Sequence, residues 1–187
     1  MAAGTSTPPN APPLEPEGLY EVIDGQVVEK RPMSILENVI AARLIRWLIR
    51  FDPTDQRGQF VFETLFLLDP AKNLRRRPDL AFVSAERWPL DRPVDRSNAW
   101  DVVPDLAIEV ISPTNITDED MAKVEDHFRA GTRLVWLVFP GQQKVYSYDS
   151  PTQVRILQVD DELDGRDVLP GLQIPLAELF QTGQAKI

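Results

Sequence analysis

The chain contains no cysteine and a single histidine, His127, among its 187 residues. The first absence excludes a disulfide framework, a thiolate metal site and a cysteine nucleophile. The second excludes His-rich zinc centres and the paired histidines of zincin motifs. Any metal would therefore be held by oxygen, a donor set that favours Mg²⁺, Mn²⁺ or Ca²⁺. Long apolar runs are missing as well: none approaches the roughly 20 residues of a membrane-crossing helix. Residues 1–16 are rich in Ala, Pro, Thr and Ser and have no apolar stretch of signal-peptide type, so a cytoplasmic location is expected.

What remains is 43% hydrophobic and 26% charged, the composition of an ordinary folded domain. The expected organisation is a disordered Pro-rich arm over 1–17, one domain over 18–181 and a flexible tail over 182–187. The net charge of −9 argues against simple nucleic-acid binding, but it is unevenly spread. Residues 30–77 carry ten bases against five acids, so a local phosphate-facing surface is compatible with an acidic chain.

Asp24-Gly25 between two apolar runs predicts a β-hairpin over 20–29. Ser34 followed by Glu37 is a capping-box pattern and predicts a helix over 34–50, with Ile40, Leu44, Trp47 and Phe51 on its apolar face. Residues 60–68 predict one strand, with Val61, Glu63, Leu65 and Leu67 on a common face. Residues 78–84 and 105–112 predict two buried strands. A second helix is expected over 117–130, capped by Thr117 and stopped by Gly131. A buried strand over 133–139 and a hairpin through 144–148 and 154–159 complete a mixed α/β fold around one central sheet.

The two buried strands matter most, because each carries a carboxylate: Asp79 in Arg77-Pro78-Asp79-Leu80-Ala81-Phe82-Val83 and Glu109 in Asp105-Leu106-Ala107-Ile108-Glu109-Val110-Ile111. An unpaired ionised carboxylate in an apolar interior costs several kcal/mol, so each needs a cation. A divalent metal shared by both is one solution; an arginine for each is the other. If the strands pair antiparallel with Asp79 opposite Glu109, Asp105 faces Val83. Asp105 then lies roughly 13 Å along the strand from Glu109, too far to share an ion with it.

The order helix, three strands, helix, strand, with one acid opening a strand and another near the end of the next, resembles the PD-(D/E)XK nuclease core. More closely, the chain resembles the Uma-two family of restriction-endonuclease-like proteins. The resemblance rests on Tyr20-Glu21-Val22-Ile23-Asp24-Gly25, Arg76-Arg77-Pro78-Asp79, Asp105 to Pro113, Ala130 to Trp136 and Leu169-Pro170-Gly171. It implies a restriction-endonuclease-like core with a mixed central β-sheet flanked by helices, plus N- and C-terminal β-hairpins. It also implies that Asp79, Glu109 and the backbone carbonyl of Val110 hold Mg²⁺ or Mn²⁺ for phosphodiester hydrolysis, with DNA as the expected substrate. The lysine of the motif is missing two residues after Glu109, where Ile111 stands. Lys123 matches the position to which the family moves it, on the following helix, and is the third candidate catalytic residue. The first helix opens Glu37-Asn38 where family members often have Glu-His.

The residues themselves leave other readings open. Lys123 could simply pair with Glu119 one turn earlier. Glu63 could be an extra metal ligand or the partner of an arginine. Arg75, Arg76, Arg77 and Lys72, and the Arg43, Arg46 and Arg50 face of the first helix, are the phosphate-contact candidates. His127 is expected in a structural role, as are Trp88 and Trp100 as buried loop anchors. Cutting both strands of a duplex needs two sites, so a homodimer is expected. The alternative to an enzyme is a nuclease fold that binds nucleic acid or protein without catalysis.

Overall fold

Asp24 and Gly25 both adopt positive φ, 50° and 73°, the geometry that a two-residue turn between twisted strands demands. They join β1 (Tyr20–Ile23) to β2 (Gln26–Glu29) with Ile23 opposite Gln26. Helix α1 (Ile35–Phe51) starts where its capping signal lies. The Ser34 hydroxyl accepts from the Glu37 backbone N–H, and the Glu37 carboxylate accepts the Ser34 N–H at 2.7 Å. Ile40, Leu44 and Leu48 form its buried stripe. The structure, a computed structural model, describes residues 17–94, 96–111 and 118–181. The expected Pro-rich arm up to residue 16, the 182–187 tail, the Thr117 cap and the Ser112-Pro113 end of the second motif lie outside the described residues.

The segment expected as one strand over 60–68 is two. β3 (Gly58–Phe62) ends before Glu63, whose φ of 44° is left-handed, and β4 (Phe66–Asp69) joins a different sheet. The cause is local hydrogen bonding that periodicity does not register. The Glu63 N–H donates to the Asp79 carbonyl and its own carbonyl accepts from Arg77. Beyond it the chain pairs with Trp100 and with β5 (Leu74–Arg76). The basic run 74–76 is thus itself a strand, and the four-stranded order is β2-β1-β5-β4.

The main sheet adds β6 (Leu80–Ser84), β7 (Leu106–Val110), then β8 (Leu134–Phe139), β9 (Lys144–Ser150) and β10 (Gln153–Leu157). Its order is β10-β9-β8-β7-β6-β3, with β7 and β8 parallel and the other neighbours antiparallel. A parallel pair needs a crossover, and helix α2 (Asp118–Ala130) lies within it. Gly131, at φ 104°, ends α2 by donating to the His127 carbonyl. β11 (Glu162–Gly165), β12 (Leu169–Pro175) and the short α3 (Leu176–Leu179) complete the chain.

Alternation assigns the sheet's two faces. Leu80, Phe82, Leu106, Ile108, Leu134 and Trp136 pack with the α1 stripe and with β11, β12 and α3 in the largest apolar cluster. Ala107, Val135, Leu137 and Phe139 point the other way, against Met121, Val124 and Phe128 of α2. Trp88 and Trp100 meet edge to face, with ring centroids 5.2 Å apart, in a third cluster with Phe66 and Val83, so both are buried anchors as expected.

Candidate functional site

The β6–β7 register is the one on which the two carboxylates depend. Leu80 lies opposite Ile108 and Phe82 opposite Leu106. Continuing that register by one residue sets Asp79 opposite Glu109, on the face that α2 covers. Both side chains are almost fully buried, 3% and 2% exposed. Asp105 occupies the far end of the register, where it accepts the Ser84 N–H at 2.8 Å and pairs with Arg87 and Arg133. It belongs to a structural ion cluster, as its distance from Glu109 implies.

Among the described residues no arginine pairs with Asp79 or Glu109; two lysines do. Asp79 Oδ1 lies 2.8 Å from Lys30 Nζ, and its Oδ2 accepts the Val110 N–H at 2.6 Å. Glu109 Oε2 lies 3.8 Å from Lys30 Nζ and 3.8 Å from Lys123 Nζ, while Oε1 is buried with no hydrogen-bond partner. Burial pushes the Glu109 carboxyl up to about 7, with the Asp79 and Glu21 carboxylates adding to the rise and the Lys123 and Lys30 ammoniums opposing it. The Glu109 carboxylate in turn holds the Lys123 ammonium above its usual value, against burial. Lys123 therefore faces Glu109, and Glu119 contributes only a weaker attraction.

These groups line a cavity of about 600 Å³ whose wall also includes Glu21, Glu29, Arg31, Glu37, Glu119 and Asp120. The wall carries seven carboxylates against three cations, an imbalance that attracts positive charge. Among the described residues, no cluster of three or more His, Asp or Glu side chains comes together as a metal cage. A cation would therefore rest on two carboxylates plus backbone, solvent or substrate oxygen, the usual manner of Mg²⁺.

The fold has counterparts among known proteins. A family described as "Putative restriction endonuclease", Uma2, matches residues 10–177. The chain belongs to the Uma2 family. No curated protein matches it. One similar solved structure is described as a putative nuclease belonging to DUF820, from Anabaena variabilis. It is 18% identical, with 89% of this chain and 92% of that chain covered and a TM-score of 0.76. At that identity the likeness establishes the fold alone. The Uma2 match spans Lys30, Asp79, Glu109 and Lys123, the whole of the buried charge cluster.

Other expected residues lie elsewhere. Glu63, half-buried at the β3–β4 break, does not line the Uma2 cavity and offers it no ligand. Arg76 is 2% exposed, too deep for a phosphate. Its guanidinium bonds Glu21 at 2.8 Å and Asp126 at 2.6 and 2.9 Å. Arg77 donates to the carbonyls of Tyr20 and Glu63 and stacks on the Tyr20 ring, and Arg75 bonds Asn73. Only Lys72 of that cluster is exposed. The Arg43, Arg46 and Arg50 face instead lines a shallow surface cleft with Trp47, Glu178 and Gln181. His127 is completely buried beside Thr132, a core residue as expected.

Sequence reasoning missed Lys30, Glu21 and Glu37. Lys30 follows an exposed strand in a basic stretch and carries no periodic signal. Glu21 could have been found, since it alternates with the apolar Tyr20 and Val22 on a strand whose outward face should be wet. Glu37 was recognised as a cap, but its Oε1 is buried without a partner at the cavity wall.

Proposed function

We propose that this chain is a divalent-metal-dependent endonuclease that hydrolyses phosphodiester bonds in DNA. The observation that carries the reading is the buried Asp79–Glu109 pair, with Glu109 Oε1 unpartnered in a cavity short of positive charge. An all-oxygen donor set of this kind suits Mg²⁺ or Mn²⁺. Asp79, Glu109 and the Val110 carbonyl would hold the ion. Such an ion, when bound, supplies Lewis-acid polarisation of the phosphate and lowers the pKa of water.

The chain's own groups do the rest. The Val110 N–H fixes the Asp79 carboxylate in rotation, so its oxygens face a constant direction. Lys123, 3.8 Å from Glu109 Oε2, is placed to orient the attacking water or donate to a phosphate oxygen. Water adds to phosphorus as the P–O bond to the leaving sugar breaks, and the leaving oxygen takes up a proton. The backbone of a long substrate needs cations beyond the cavity. The Arg43, Arg46 and Arg50 face, on the side of α1 away from Glu37, is the better candidate, with exposed Lys72 secondary. Two copies would serve the two strands of a duplex.

A non-catalytic nuclease-fold module is the second reading. The observation that favours it is Lys30, whose ammonium already neutralises Asp79. Incubation with supercoiled plasmid decides between them. Nicked and linear products with Mg²⁺ or Mn²⁺, absent for Glu109→Ala, support the enzyme; no cutting with any divalent cation supports the binding module.

A further inference from the structure

Lys30 takes no part in the hydrolysis outlined above, yet it holds the position that a cation would take. Its Nζ lies 2.8 Å from Asp79 Oδ1 and 3.8 Å from Glu109 Oε2, and it also donates to the Arg77 carbonyl. We propose that the Lys30 ammonium is a resident counter-ion which a divalent cation displaces, so that Lys30 sets the metal affinity of the site. The inference rests on the metal reading of the preceding subsection.

Asp79 Oδ2 already accepts the Val110 N–H at 2.6 Å, which leaves Oδ1 as the better ligand. A divalent ion on Oδ1 would sit about 2.1 Å from it. Lys30 would then share that oxygen with the incoming ion among almost fully buried side chains, where like charges repel more strongly than in open water. The charge count gives the same answer. Within the innermost four side chains, Asp79 and Glu109 are balanced by Lys30 and Lys123, so a divalent ion there leaves two positive charges in local excess before the acids of the outer wall are counted. Withdrawing Lys30 removes half of that excess, and an anionic phosphodiester can take up the remainder.

The local backbone permits the withdrawal. Lys30 opens the 30–34 connector between β2 and α1, which contains neither helix nor strand. Its neighbours Glu29 and Arg31 are exposed. Its backbone N–H is anchored to the Leu19 carbonyl. The side chain can therefore swing to solvent without disturbing a structural element.

The test titrates Mn²⁺ calorimetrically into the full chain and into Lys30→Met, with thermal melts to show that both are folded. In parallel, an amine-reactive reagent labels the wild type with and without saturating Mn²⁺, and mass spectrometry reads Lys30. Displacement requires at least tenfold tighter Mn²⁺ binding by Lys30→Met and a severalfold rise in wild-type Lys30 labelling on adding Mn²⁺. If the wild type binds Mn²⁺ but the variant binds no tighter, or Lys30 labelling does not rise, displacement is wrong while the metal reading stands. If neither protein binds any divalent cation, the metal reading falls and this inference with it.

Discussion

Arg76 decides whether the basic stretch before Asp79 is a scaffold or a phosphate-binding surface, and its removal has a calculable cost. Its guanidinium bridges Glu21 on β1 and Asp126 on α2. The remaining oxygens of those acids are also satisfied, Glu21 Oε1 by the Arg77 N–H and Asp126 Oδ1 by Arg129. Arg76→Met keeps most of the volume but leaves one oxygen of each buried carboxylate, Glu21 Oε2 and Asp126 Oδ2, without its partner. Breaking a buried ion cluster in this way costs about 3–5 kcal/mol. For a domain of this size each kcal/mol moves Tm by about 2–4 °C, so Tm should fall by roughly 6–20 °C.

The loss should also depend on pH, and the sign follows from Glu21. Against burial, Lys123 and Arg76 hold the folded Glu21 carboxyl below its ordinary value of 4.5. Its contribution to wild-type stability is therefore present above pH 4.5 and lost as pH falls through the folded value. In the variant Glu21 has lost one of the two cations that hold it ionised against burial, so the gap between the two proteins should narrow as pH falls from about 7 to about 4. Urea unfolding followed by tryptophan fluorescence measures both quantities, provided the m-values agree. A loss below about 1 kcal/mol, or a gap that ignores pH, would refute the scaffold assignment.

Four further outcomes follow from the same geometry. Lys123→Ala should cut plasmid cleavage by about a hundredfold while DNA affinity changes little, because a group acting on the transition state lowers rate rather than binding. Neutralising two of Arg43, Arg46 and Arg50 should flatten the dependence of log DNA affinity on log salt by about 0.9 for each phosphate no longer neutralised; an unchanged slope places the phosphate track elsewhere. Because the cavity wall is acidic, DNA affinity should rise when Ca²⁺ replaces EDTA, and equal affinity in both would separate DNA binding from this cavity. Burial pushes His127 down to about 3 from an ordinary value of 6.5, so only the unfolded chain takes up a proton between those values; stability should fall by about 2 kcal/mol from about pH 7.5 to about pH 5, and His127→Gln should remove that component of a urea-unfolding series.

The buried pair of acids was legible in the sequence because both violate the pattern around them. Asp79 and Glu109 interrupt runs that are buried on both faces, and a charge in such a run has few explanations. Their register followed from simple pairing and is the one observed at Leu80 and Ile108. Local signals were equally readable at Asp24-Gly25, at the Ser34–Glu37 box and at Gly131, where the conformation is decided within a few residues. What failed was long-range. The break at Glu63 depends on Asp79 and Arg77, sixteen and fourteen residues away, and alternation carries straight through it. The arginine run failed for a related reason. Three consecutive bases look like a surface, but on a strand alternate residues face opposite ways, and Arg76 turns inward to acids 55 and 50 positions away.

On the proposed mechanism, the division of the basic residues explains how the catalytic lysine can stand on a helix instead of on the strand beside the second acid. What that mechanism requires is an ammonium near Glu109, and the fold can supply it from any element held rigidly over that carboxylate. Helix α2 is so held at two levels. Val124 and Phe128 pack it on the sheet, and Asp126 ties it through Arg76 to Glu21 on β1. Lys123 sits one residue before Val124 and three before Asp126, so the same contacts that fix the helix aim the lysine. The ion cluster that looked like a phosphate surface therefore acts on the site indirectly, by setting where Lys123 reaches. Loosening Arg76 should disturb the reaction through the 3.8 Å separation of Lys123 and Glu109, without touching the substrate at all.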